Sequence, residues 1–191
     1  EEIPMNRTFE DVLVEQCAPT LAGIKPASLF RFQADSLETI RLHTAEWDQR
    51  LRSFGIRVHL LKECPGTLAG MIYLYREKWL TQLVAEKERR AFLEQHGYYA
   101  ERLPEMLEQL SQRFCLEQEY PHEIGIFLGY PLQDVVGFIE NKARNYTCCG
   151  YWKCYGDPAA AQKCFERYRI CTRIYKKRYA SGTPIVQLVA A

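Results

Sequence analysis

Seven residues of this chain combine a reactive or recognition-capable side chain with a position at a turn or a helix start: Cys17, Lys25, His122, Glu123, Tyr130, Trp152 and Lys153. A thiol, an imidazole and a carboxylate can act as nucleophile, base and orienting group. Cys17, His122 and Glu123 are therefore the candidate catalytic centre, and Lys25, Tyr130, Trp152 and Lys153 the candidate ligand-binding residues. His122 and Glu123 follow Pro121 at the start of an expected helix, where the positive end of the helix dipole favours the neutral imidazole that a base requires. Glu123 complements the same dipole. For Cys17 two readings stay open. Unpaired N–H groups at a turn beginning at Pro19 would stabilise a thiolate, whereas the C-terminal end of a helix would keep the thiol inert and structural. Tyr151, Lys153 and Tyr155 alternate with Trp152 and Cys154, so Lys153 is placed either to meet an anion or to stack on an aromatic ring. Cys148, Cys149, Cys154, Cys164 and Cys171 contain no C-x-x-C knuckle, and no metal site is expected from them. The identity of any cofactor is not readable from these residues.

The elements that position these residues follow from periodicity. Thr8 is the expected N-cap of a helix reaching Cys17, with Glu10 and Asp11 in its first turn. Pro19 is expected to end that helix, and Gly23 to close a further short turn. Ala27–Gln33 reads as a strand. Asp35 or Ser36 caps a helix to about Phe54, with Leu37, Ile40, Thr44, Trp47, Leu51 and Phe54 at helical spacing. Ile56–Cys64 and Gly70–Arg76 read as a hairpin around Pro65–Gly66. One helix is expected over Trp79–Gln95, ended by Gly97, and another from Pro104 to about Leu116. Residues 121–128 and 132–143 form a helix-turn-helix-like pair about Gly129–Tyr130–Pro131, in which Gly125 allows close crossing and Leu132, Gln133, Val136, Gly137 and Glu140 face outward. Only Gln133 on that face suits base reading, and Asp134 and Glu140 would repel phosphates, so the pair reads as packing. Gly150–Tyr155 is a fourth strand, and Asp157–Pro158 starts a last helix to about Tyr179. Its inward stripe is Ala161, Cys164, Phe165, Tyr168, Cys171 and Tyr175. The apolar tail from Thr183 is assigned to an edge strand. The fold expected is α+β in a single domain of residues 1–191, a small mixed or antiparallel sheet of about four strands with packed helices.

Composition sets the class. Hydrophobic residues make up 47% and charged residues 26%, which excludes a disordered chain. Apolar runs fall short of the roughly 20 residues that a bilayer requires, and residues 1–6 lack the pattern of a secretory leader. A cytoplasmic protein with reduced thiols is the expectation. The net charge of +1 hides an asymmetry: residues 141–191 carry ten Lys/Arg and two acids, +8, against −7 for the rest. That asymmetry means either a solvated basic helix or an anionic partner.

Three segments together, C-A-P-T-L-A-G-I-K-P (17–26), P-H-E-I-G-I-F-L-G-Y-P-L-Q-D-V-V-G-F-I-E-N (121–141) and C-G-Y-W-K-C-Y-G (149–156), resemble an uncharacterised bacterial family known as a domain of unknown function. It is of about this length and common among anaerobes. The resemblance implies a pattern centred on Cys17, Lys25, His122, Glu123, Gly129, Tyr130, Trp152 and Lys153, with the positions of Cys149 and Cys154 variable. The functional expectation is a ligand-handling or thiol-dependent catalytic protein. The alternative is a regulatory or interaction module using the helix pair and the basic C-terminal helix. A small anionic ligand or a protein is the expected partner, nucleic acid a less favoured one, and a membrane is not expected.

Overall fold

The computed structural model describes residues 7–116 and 120–190, with the backbone alone for Leu116. Residues 1–6, read above for a leader, lie outside the described residues, as does Ala191 of the tail. The chain divides into two compact units: the described residues up to Arg76 together with those from Ile170 onward, and Glu77–Arg169.

In the first unit, α1 (Phe9–Leu21) begins in a capping box. Thr8 Oγ1 accepts from the Asp11 N–H, and the Asp11 carboxylate accepts from the Thr8 N–H. Pro19 does not end this helix. It lies inside, buried with Ala18, Thr20 and Leu21, and so few residues follow it that the lost N–H donor costs little of the helix. The end comes at Gly23, where φ is +76°. There the Ile24 N–H reaches the Pro19 carbonyl and the Gly23 N–H that of Thr20, a Schellman closure. Arg76 completes it by donating to the carbonyls of Thr20, Leu21 and Ala190 at 2.7–2.9 Å.

Strands β1 (Ala27–Gln33), β2 (Ile56–Cys64) and β3 (Ala69–Arg76) form an antiparallel sheet in the order β1-β3-β2. The hairpin between β2 and β3 turns through Pro65–Thr67 as expected. Strand β3 is buried from Ala69 to Tyr75 because it is central. Helix α2 (Leu37–Leu51), capped by Ser36, buries Ile40, Thr44, Trp47 and Leu51 and passes through a 3-10 turn to Gly55. These join Phe9, Leu13, Phe30, Phe32, Ile72 and Leu74 in one core. The tail is not an edge strand. Ile185–Leu188 forms a short helix, α9, that buries Ile185 and Leu188 in that core.

The second unit is mostly helical. The expected helix over Trp79–Gln95 is two helices, α3 (Glu77–Ala85) and α4 (Lys87–Gln95), separated where Glu86 takes an extended ψ of 133°. The change of direction lets Arg89 donate to the Tyr130 carbonyl and Arg90 to that of Ala100. Then come α5 (Leu103–Leu116), α6 (Ile124–Phe127) and α7 (Leu132–Glu140), the last two joined through Gly129 at φ +76°. Among the described residues, strands β4 (Cys148–Cys149) and β5 (Lys153–Cys154) pair only with each other. The fourth strand expected over 150–155 is therefore a separate ribbon, because its first residues form the turn of the hairpin. Helix α8 (Pro158–Ala180) starts with the Asp157 side chain accepting from the Ala159 N–H.

Candidate functional site

Around α7 the second unit gathers five of the seven residues singled out in the sequence. Asp134, in the first turn of α7, is buried, with one carboxylate oxygen accepting from Trp152 Nε1–H and the other from the Tyr155 N–H, both at 2.8 Å. This pins the β4–β5 ribbon to the helix. Trp152 stacks on Tyr130 with centroids 5.0 Å apart and meets Phe165 edge-on at 4.6 Å. Burial pushes the Tyr130 phenol up to about 12. Gly137, expected to face outward, is buried, and so is Asp134, the acid expected to repel phosphates. A Cβ on Gly137 would stand 2.5 Å from the Tyr155 ring, and the Gln133 amide packs against Gly156. The ribbon thus packs against the Asp134 and Gly137 side of α7, while Gln133 and Glu140 stay exposed.

The other end of α7 carries the exposed chemistry. His122 is exposed and meets Phe138 edge-on at 5.1 Å. Lys153 Nζ lies 5.8 Å from the same Phe138 ring and 4.9 Å from the ring of Tyr146, and donates to the Ala143 carbonyl at 2.9 Å. His122, Phe138, Lys153 and Tyr146 thus form one connected cluster. The loop beneath it is unusual: Lys142, Ala143 and Asn145 all have φ between +47° and +62°. Each such residue costs roughly 1–2 kcal/mol without glycine. The loop is held by the Ala143 N–H on the Phe138 carbonyl, by Asn141 Nδ2–H on that of Gly137, and by the Lys153 ammonium. It presents Lys142, Arg144 and Tyr146 to solvent.

Glu123 is buried. Its carboxylate accepts from Arg113 at 2.7 Å and from the Tyr98 hydroxyl at 3.1 Å, while the Arg113 guanidinium lies 4.5 Å over the Tyr98 ring. Arg113 also donates to the His96 carbonyl. This network ties the start of α6 to α5 and to the segment after α4.

Cys17 and Lys25 belong to the first unit. Cys17 is fully buried inside α1, and burial raises its thiol to about 12 even though Lys25 and Ser28 pull the other way. Lys25 is buried beside the Schellman turn. Among the described residues no group of three or more His, Cys, Asp or Glu is arranged to hold a metal ion. No helix among them is long and apolar enough to cross a membrane.

The family described as protein of unknown function, DUF3793, matches residues 13–189. The chain belongs to this family. Searches of curated proteins and of solved structures each returned no match. Several residues of the candidate site of this DUF3793 protein are not singled out as site residues by its sequence: Asp134, Phe138, Tyr146, Arg113 and the left-handed loop 142–145. Of these only Asn145 carries a local signal, since asparagine tolerates positive φ. The others look like ordinary helix or loop residues until the ribbon and α5 are placed beside them.

Proposed function

We propose that this protein is a ligand-handling domain that binds a small organic anion, a phosphate or carboxylate, at the cluster around Phe138. The observation that carries this reading is that His122 and Lys153, far apart in sequence, share the Phe138 ring at an exposed surface. An ammonium has three donors, and the Ala143 carbonyl accepts one. The others, with the His122 ring, suit the oxygens of an anion, and Tyr146 offers a face for a planar ligand. Lys142 and Arg144 raise the local positive potential. Glu123, satisfied by Arg113 and Tyr98, supports the position of His122 by anchoring its backbone. The thiol-dependent form of the reading, with Cys17 as nucleophile, is less well supported, because a thiol held at about 12 is protonated at neutral pH.

The test is titration of the His122 ring resonances by NMR with inorganic phosphate, adenosine monophosphate and benzoate. A saturable shift is expected with at least one of them, weakened about tenfold in Lys153→Ala, as for loss of one charge-assisted hydrogen bond of about 1.4 kcal/mol. His122→Ala, which removes no backbone-holding bond, serves as the second variant and is read through Trp152 fluorescence. Resonances that stay still at millimolar concentrations of all three ligands would remove the proposal. Salt-sensitive retention on duplex DNA, lost on neutralising Lys176, Lys177 and Arg178, would favour the interaction module instead.

A further inference from the structure

The β4–β5 ribbon carries a second feature that the anion site does not use. Cys148 and Cys154 are direct cross-strand partners in its antiparallel register, so their side chains leave the same face. Both are free thiols. Cys154 is buried against Ala161 and Phe165, with Sγ directed at the Asp157 carbonyl at 3.6 Å, whereas Cys148 is half-buried and reachable. We propose that Cys148 and Cys154 form a redox-active dithiol, a modification site that takes low-molecular-weight disulfides and closes to an intrachain disulfide.

The geometry favours closure. Directly opposed Cβ atoms lie about 4.5–5.5 Å apart, against about 3.5–4.5 Å in a disulfide. The required approach is of the order of 1 Å, and each strand of the ribbon is only two residues long. The order of events follows from access. The Cys148 thiolate attacks one sulfur of the disulfide RSSR, forming the Cys148–S–SR bond and expelling RS⁻. The Cys154 thiolate then attacks the Cys148 sulfur, forming the Cys148–Cys154 bond and expelling the second RS⁻. The two protons from the cysteines pass through water to the departing thiolates. In balance, two cysteine thiols are oxidised and one RSSR is reduced to two RSH. Partial burial and the neighbouring Cys154 both raise the Cys148 pKa, so the reaction accelerates with rising pH. Cys149, exposed and adjacent, pairs across the ribbon with Lys153 and has no thiol opposite it.

The experiment uses the whole folded chain and oxidised glutathione at mildly alkaline pH, followed by intact mass and non-reducing tryptic mapping with fragment sequencing. The expected product loses two hydrogen atoms at this pair and links the peptide ending at Lys153 to the one beginning at Cys154 through Cys148. Dithiothreitol reverses it. In Cys154→Ser the reaction stops at glutathione retained on Cys148, and Cys149→Ser leaves the crosslink intact. A link from Cys154 to Cys149, separate glutathione adducts on Cys148 and Cys154, or an unmodified pair would each overturn the proposal. Circular dichroism of each variant establishes that it is folded before oxidation, and the Cys149→Ser result does not depend on any mutation at the pair itself.

Discussion

Asp134 shows how one side chain can carry a site. It is buried in the first turn of α7, and both its oxygens are committed, to Trp152 Nε1–H and the Tyr155 N–H. Asp134→Ala strands both donors, and a loss of about 2–4 kcal/mol is expected, with red-shifted Trp152 fluorescence in the native state. Asp134→Asn keeps the shape, but its amide can accept from only one of the two donors, so it falls between. Wild-type stability in Asp134→Ala would mean that the ribbon is held by other contacts. Gly137 tests the same junction sterically. Its would-be Cβ meets the Tyr155 ring at 2.5 Å, so Gly137→Ala is expected to cost about 1–3 kcal/mol, against the modest gain that alanine brings to an exposed helical site. Cys17 is the contrasting residue. Its thiol at about 12 predicts no labelling by iodoacetamide in the native chain at neutral pH. Rapid labelling with a midpoint below that of a free thiol would return Cys17 to the catalytic reading.

Between elements, charged side chains do much of the joining, and Arg76 and Asp48 are two examples. Arg76, the last residue of β3, closes α1 through the carbonyls of Thr20 and Leu21 and holds the tail through that of Ala190. Arg76→Met leaves the end carbonyls of α1 and that of Ala190 without this donor, and a loss of about 2–4 kcal/mol is expected in chemical denaturation. Asp48 of α2 grips β2 through Arg57 and the Val58 N–H, with Arg52 as a third donor. Burial works against the ionised Asp48, but these hydrogen bonds outweigh it and hold its pKa at about 2. A folded pKa below the unfolded one contributes stability that is fully present above the unfolded value near 4 and lost as pH falls through the folded value near 2. After discount for solvent screening, about 1 kcal/mol of acid sensitivity is expected from this group. It should vanish in Asp48→Asn when unfolding midpoints are compared at neutral pH and at pH about 2–3.

At the scale of the whole chain, the first unit is discontinuous, since residues from Ile170 onward complete a core begun before Arg76. Removing residues 184–191 takes Ile185 and Leu188 from that core, each worth roughly 1.5–3 kcal/mol of burial. Against a total stability of about 5–15 kcal/mol, that deletion is expected to lower the thermal midpoint sharply and reduce soluble yield. The charge asymmetry read from the sequence is partly absorbed within the unit, where Lys176 pairs with Glu15 at 3.3 Å. Arg173, Lys177 and Arg178 remain at the exposed surface.

The amino-acid sequence alone determined the α+β class, the N-cap at Thr8, the hairpin over 56–76 and the inward stripe of α8, because each rests on periodicity or on a cap within a few residues. It also picked out the turn around Gly129–Pro131 and the aromatic and cationic residues beside it. Tertiary structure decided what local rules cannot. Burial kept Pro19 inside α1. The ribbon made Asp134 and Gly137 its anchor, and packing set both His122 and Lys153 against the Phe138 ring. The reason is physical: a side chain's environment is set by what folds against it, and at this site the partners lie 10, 18 and 21 residues away along the chain.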